Sequence, residues 1–243
     1  MHFTTALALA SSIVLVAARP TVQVSEDDAI LYGNGRFTVV KRADIEELQA
    51  LRESGVTPPK PGYLNDTLTT ASGEEVNKIG AAPLSKRANT IVIPNPASDF
   101  LGWDTQMSAV VKGAPTTLTV SSGYNVANSI SVGVGASLTL VKDFLEVSTS
   151  IDYSQTWTST LSQGFSAEVP AGKYGAFVSN AWTHRESGNI WQGSIGGDGT
   201  LTYYQAESFK SKNYDGLAWV DGVIVLCTGD EIPLRRCLGE GTL

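Results

Sequence analysis

The chain has 243 residues, a formal charge of −7, two cysteines and two histidines. Its length allows one or two domains with a sizeable core, and 42% apolar with 17% charged residues fits a globular protein. The acidic balance argues against a nucleic-acid binder, the scarcity of Cys and His against a zinc cluster, and no internal stretch is apolar enough to span a bilayer as a helix.

The chain begins MHFTTALALASSIVLVAA. An apolar run from Ala6 to Val16 precedes the small residues Ala17 and Ala18. This pattern predicts a secretory signal peptide over 1–18, cut after Ala18. The run is too short for a membrane anchor.

Residues 19–87 differ in composition from residues 88–243. They hold the Pro-rich stretch Thr57 to Gly62, no Trp or Cys, and the dibasic pairs Lys41-Arg42 and Lys86-Arg87. All five tryptophans and both cysteines lie beyond the second pair. A pro-region over 19–87 is expected, cut after Lys86-Arg87 by a processing protease, with Lys41-Arg42 as a second candidate site. Within this mostly irregular region, Ile45, Leu48 and Leu51 share one face of a short helix, with Asp44 as candidate N-cap and Gly55 as stop. Asn34-Gly35 marks a hairpin, and Asn65-Asp66-Thr67 is a glycosylation sequon.

Residues 88–243 read as a mature β domain of single-domain size. Even positions from Val132 to Leu140 are apolar and odd positions are Ser, Gly or Thr. The alternation resumes over Leu145, Val147, Ile151, Tyr153, Trp157 and Leu161. Further strands are predicted at Phe165 to Val169 and at Tyr174 to Ser179, around a Pro170-Ala171-Gly172 turn. Gly193 to Thr200 reads as a loop and Leu201 to Gln205 as a strand. Leu217 to Val220 and Val223 to Leu226, joined by Asp221-Gly222, read as a hairpin. The expected fold is all-β, the mature domain a β-sandwich or an elongated antiparallel sheet.

Cys227 and Cys237 flank a nine-residue loop, and an oxidising secretory route makes a disulfide between them the expected state. Catalytic constellations are sparse. His184 is the one histidine of the mature region, and no Gly-x-Ser-x-Gly elbow accompanies it. Paired carboxylates could serve glycoside hydrolysis, but the sequence does not select a pair. The Gly196-Gly197-Asp198-Gly199 segment reads as a tight turn rather than a calcium loop. No catalytic residue, metal site or cofactor is assigned. Trp182, His184, Arg185 and Trp191 are the candidate binding residues, with His184-Arg185-Glu186 as a polar tip between two aromatics.

The Ser/Thr-rich alternation followed by Ser166 to Lys173 (SAEVPAGK) resembles aerolysin-type β-pore-forming proteins. That resemblance implies a membrane-inserting hairpin of strands of about 9–11 residues. The overall plan, with the tail Trp219 to Gly239, resembles small secreted effector-like proteins of filamentous fungi. It implies secretion and action at a host or competitor surface. The expected protein is a secreted, non-enzymatic binder of an extracellular ligand or host surface. The rivals are a pore former held latent by its pro-region, with a membrane as partner, and a secreted carboxylate-dependent hydrolase.

Overall fold

The computed structural model of the protein describes residues 21–80, 90–120, 123, 125–158, 161, 163–194 and 197–243. The signal segment and the Lys86-Arg87 pair lie outside the described residues. The leading part forms β1 (Thr21–Gln23), β2 (Asp28–Gly33), β3 (Arg36–Lys41), α1 (Glu46–Ser54), β4 (Leu68–Ser72) and α2 (Glu74–Lys78). Next come β5 (Thr90–Pro94), β6 (Ser98–Leu101), β7 (Thr105–Gln106), β8 (Val111–Lys112), β9 (Thr116–Val120), β10 (Asn125–Ala127), β11 (Ser129–Gly133), α3 (Leu138–Ser148) and β12 (Thr156–Thr158). The remainder forms β13 (Gly164–Val169), β14 (Tyr174–Gly193), β15 (Gly199–Phe209), β16 (Lys212–Tyr214), β17 (Leu217–Val220) and β18 (Gly222–Gly229). The protein is mostly β, 50% strand and 15% helix, around one large antiparallel sheet.

That sheet is organised on β14, which runs for 20 residues. Along one edge its first half pairs with β18 and its second half with β15. Along the other edge β5, β6, β7 and β8 pair with it in turn, so residues 90–112 run antiparallel to almost its whole length. Side chains alternate between faces along a strand, and three cores result. Odd-numbered Phe177 faces Ile30, Ile224 and Leu226, and the small sheet β1-β13-β9 covers this face with Phe165, Ala167 and Leu118. Even-numbered Val178 and Trp182 pack with Leu31, Ile45, Leu101 and Val223 beneath α1. Further along the even face, Ile190 packs with Ile130, Tyr204 and Ala206 beneath α3.

The leading part is woven into these cores. β2 sits between β3 and β18, β4 closes the far edge against β11, and β1 pairs in parallel with β13. In place of the irregular leading region expected from sequence stand four strands among the described residues, because Ala29, Ile30, Leu31 and Tyr32 find their apolar partners on β18, β14 and the sheet β1-β13-β9 rather than within the leading part alone. The hairpin at Asn34-Gly35 is present, both residues with the positive φ that a tight turn needs (45° and 70°). The helix is present too. Gly55 ends it in the left-handed conformation, its N–H donating to the Leu51 carbonyl. Its N-cap is Ile45 rather than Asp44, which belongs to the preceding 3-10 turn.

At the β2–β3 entrance the Asp28 carboxylate accepts hydrogen bonds from Lys41 Nζ and from the Ser25 N–H and hydroxyl. These bonds, the Lys41 one foremost, lower its pKa to about 2. A carboxyl with a depressed folded-state pKa adds stability above its unfolded value, and that stability is lost as pH falls through the folded value. Asp28→Asn is therefore expected to lose about 1 kcal/mol at pH 7 and to differ little from the parent near pH 2. Urea midpoints at the two pH values check this.

Two further expectations are corrected. The alternation over 131–140 and 145–161 does not form a strand pair. β11 ends at Gly133, Gly135 turns the chain with φ 90°, and α3 comes next. Leu138, Val141 and Leu145 satisfy the helical period, Ser137 caps the first turn, and Lys142 pairs with Glu146 one turn on. The Leu217–Leu226 hairpin is also absent. β17 pairs with β16 through the turn at Asp215-Gly216, both at positive φ, while β18 joins β14 and β2. Between them the Asp221 N–H donates to the Tyr32 carbonyl, and the Asp221 carbonyl accepts from Trp182. The strand expected at Tyr174–Ser179 continues to Gly193, whereas the Pro170-Ala171-Gly172 turn stands, with Gly172 at φ 84°.

The Cys227–Cys237 disulfide is formed, with Cys227 fully buried in β18. Replacing both cysteines by Ala is expected to cost about 2–4 kcal/mol through the freed loop, measured as a drop in denaturant midpoint.

Candidate functional site

Alternation along β14 divides the four sequence candidates between two faces. Trp182 and His184 lie on the even face, Arg185 and Trp191 on the odd face. None forms a tip, since β14 is paired on both sides through this stretch. Trp191 lies against the last rungs of the β14–β15 pair. A Cβ on Gly199 would come within 2.1 Å of its Nε1, so glycine is required there. Of the dibasic residues, Lys41 pairs with Asp28, and Arg42 donates to the Leu226 carbonyl.

Two hollows border α1. Beside Trp182 lies a hollow of about 370 Å³, bordered by Asp99, Phe100, Lys210, Lys212 and α1's Glu47. Cross-strand register puts Asp99 of β6 opposite His184, and Lys210 comes directly after β15. His184 Nδ1 lies 2.6 Å from Asp99 Oδ1 and its Nε2 lies 3.2 Å from Glu186 Oε1. Lys210 Nζ donates to Asp99 at 2.9 Å. Burial pushes the Asp99 carboxyl up, but hydrogen bonds from Lys210 and His184 outweigh it and hold it below the usual carboxylate range. Lys212 pairs with Glu47, and its ammonium stands 4.5 Å from the centre of the Trp182 ring. The Trp182 Nε1–H is buried with no hydrogen-bond partner among the described residues.

Both ring nitrogens of His184 face carboxylates, so neither is directed at a hydroxyl that it could deprotonate. What the hollow offers is two ammonium groups and two carboxylates beside an aromatic ring.

On the other side of α1 a second hollow, of about 460 Å³, is lined by Leu48, Leu51, Val225, Arg42, Asp104 and Asn180 among others. Asp104 is fully enclosed. Burial pushes its carboxyl up, against hydrogen bonds from Asn180 Nδ2 (2.8 Å) and the Cys237 and Leu238 N–H groups. With its acceptor positions taken, Asp104 ties the C-terminal loop to the sheet. The grouping of Asp104 with Cys227 and Cys237 resembles a metal cluster, but the disulfide removes both thiolates as ligands.

Trp182 and His184, which the sequence singles out, lie beside Asp99, Lys210 and Lys212, which it does not. Asp99 is 85 residues away from His184 and no local pattern links them. Comparison with known proteins adds no relative: no protein family, curated protein or solved structure matches this chain.

Proposed function

We propose that the protein is a secreted, non-enzymatic β protein of fungal effector-like type, which binds an extracellular ligand in the hollow beside Trp182. The carrying observation is a hollow that sets Lys210 and Lys212, with Asp99 and Glu47, around the Trp182 ring. Such a site fits a polar, oxygen-rich ligand, a sugar chain end being the type to try first. The disulfide suits an oxidising destination. Removal of the signal peptide and cleavage after Lys86-Arg87 belong to the same proposal.

The purified protein is to be screened on a glycan array and hits titrated by calorimetry. Lys210→Met removes an ammonium at the hollow, so a true site loses about five- to tenfold in affinity, the worth of one hydrogen bond. Trp191→Phe, on the opposite face, leaves affinity unchanged. Equal binding by Lys210→Met, or no hit among glycans, removes this reading.

A further inference from the structure

On the odd-face side of β14, Arg185 and its polar neighbours on β15 and β11 are buried. Arg185, Gln205, Glu207 and Ser131 are each 6% exposed or less. Over them lies the strap Thr57 to Gly62, sequence TPPKPG, from the leading part, which runs into a 3-10 turn at Gly62–Leu64. The contacts to the strap run largely to its main chain. Trp103 Nε1 donates to the Pro58 carbonyl at 2.7 Å. Arg185 Nη2 donates to the Lys60 carbonyl at 2.8 Å and to that of Pro59 at 3.3 Å. The Gly62 N–H donates to Glu207. Two prolines of the strap are buried, Pro58 and Pro61, three positions apart, while Pro59 and Lys60 point to solvent. Pro61 has φ −60° and ψ 146°, values of the polyproline II helix.

Three-residue spacing is the repeat of that helix, so Pro58 and Pro61 fall on one face of it. Side-chain donors reading successive carbonyls, with slots for prolines at i and i+3, is the way aromatic-lined grooves take up proline-rich peptides. The Arg185 guanidinium is itself seated 5.0 Å from the Phe100 ring centre and paired with Glu207. A buried ion pair costs more in desolvation than an apolar cover of the same size. Here the pair orients donors and an acceptor toward peptide backbone, a task an apolar cover cannot perform. At the strap's end a Cβ on Gly62 would meet Ser131 Oγ at 2.1 Å, so the trough accepts only glycine after the second proline.

We infer that this trough is a recognition site for extended proline-rich segments of the form Pro-x-x-Pro-Gly, occupied in this chain by its own strap. The partner is a protein carrying such a segment, which enters when the strap is displaced. The site lies on the opposite face of β14 from the Trp182 hollow and does not depend on it.

A fluorescent peptide of residues 56–63 is titrated by anisotropy into two proteins. One is the chain without its signal segment, and the other is the same chain carrying Pro58→Gly and Pro61→Gly. A tethered strap competes at an effective concentration in the millimolar range, so the parent is expected to bind at least tenfold more weakly than the variant. Adding Trp103→Phe to the variant removes the donor to the first carbonyl and is expected to lower affinity about tenfold. A variant with native near-UV circular dichroism that fails to bind overturns the proposal, as does equal binding of a scrambled peptide. If the variant loses its native spectrum, peptide added in trans must restore it; failure to do so also overturns the proposal.

Discussion

Residues 88–243 produced alone are expected not to fold, whereas residues 19–243 fold. Without the leading part, β18 loses β2, β11 loses β4 and β13 loses β1. The cores also lose Ile30, Leu31, Tyr32, Ile45 and Val76, all nearly or fully buried. At about 1.5–3 kcal/mol for each large apolar side chain, the loss is about 10 kcal/mol. That equals the whole net stability of many domains, about 5–15 kcal/mol. The fragment is expected to aggregate or to give a poorly dispersed NMR spectrum. If the chain is cut after Lys86-Arg87, the two pieces should co-elute on size exclusion and separate only in denaturant. A monomeric 88–243 fragment with well-dispersed resonances would show that the leading part is dispensable.

The second large effect is expected at the Arg185–Glu207 pair. Burial pushes the Glu207 carboxyl up, against the pull of Arg185, and both side chains are enclosed. Glu207→Gln leaves the guanidinium without its counter-charge in a dry site, at an expected cost of about 3–5 kcal/mol. Arg185→Met combined with Glu207→Leu removes both charges and is expected to recover much of that loss. Urea unfolding of the three proteins tests both statements. A Glu207→Gln midpoint near the parent's would mean that the pair is wetter than its geometry indicates.

The parts of the fold legible in the sequence are those fixed by neighbouring residues. Asn34-Gly35 dictates its turn because both residues take positive φ, and Gly55 stops α1 for the same reason. The Ser137–Ser148 segment misleads because a short apolar alternation and a helical period coincide at Leu138 and Leu145. The decisive signal is the Leu138, Val141, Leu145 spacing. The full length of β14 is hidden because Asn180–Gly193 does not alternate between apolar and polar. Its odd face is polar, and the strap that buries it comes from more than a hundred residues away in the chain. For the site, Trp182 and His184 are visible as a cluster of unusual residues. Their charged partners are not, since only the cross-strand register of β6 and β15 brings Asp99 and Lys210 beside them.

The length of β14 bears on how the molecule comes apart. One strand contributes Phe177, Val178 and Ile190 to three separate apolar clusters, and neighbouring strands occupy both of its edges. No cluster can open far without breaking main-chain bonds shared with the next. Its amides between Gly175 and Ile190 should therefore exchange with deuterium only through global opening, together and last. The three clusters should melt as a single calorimetric step, and damage at either end of the strand would be felt along the whole sheet.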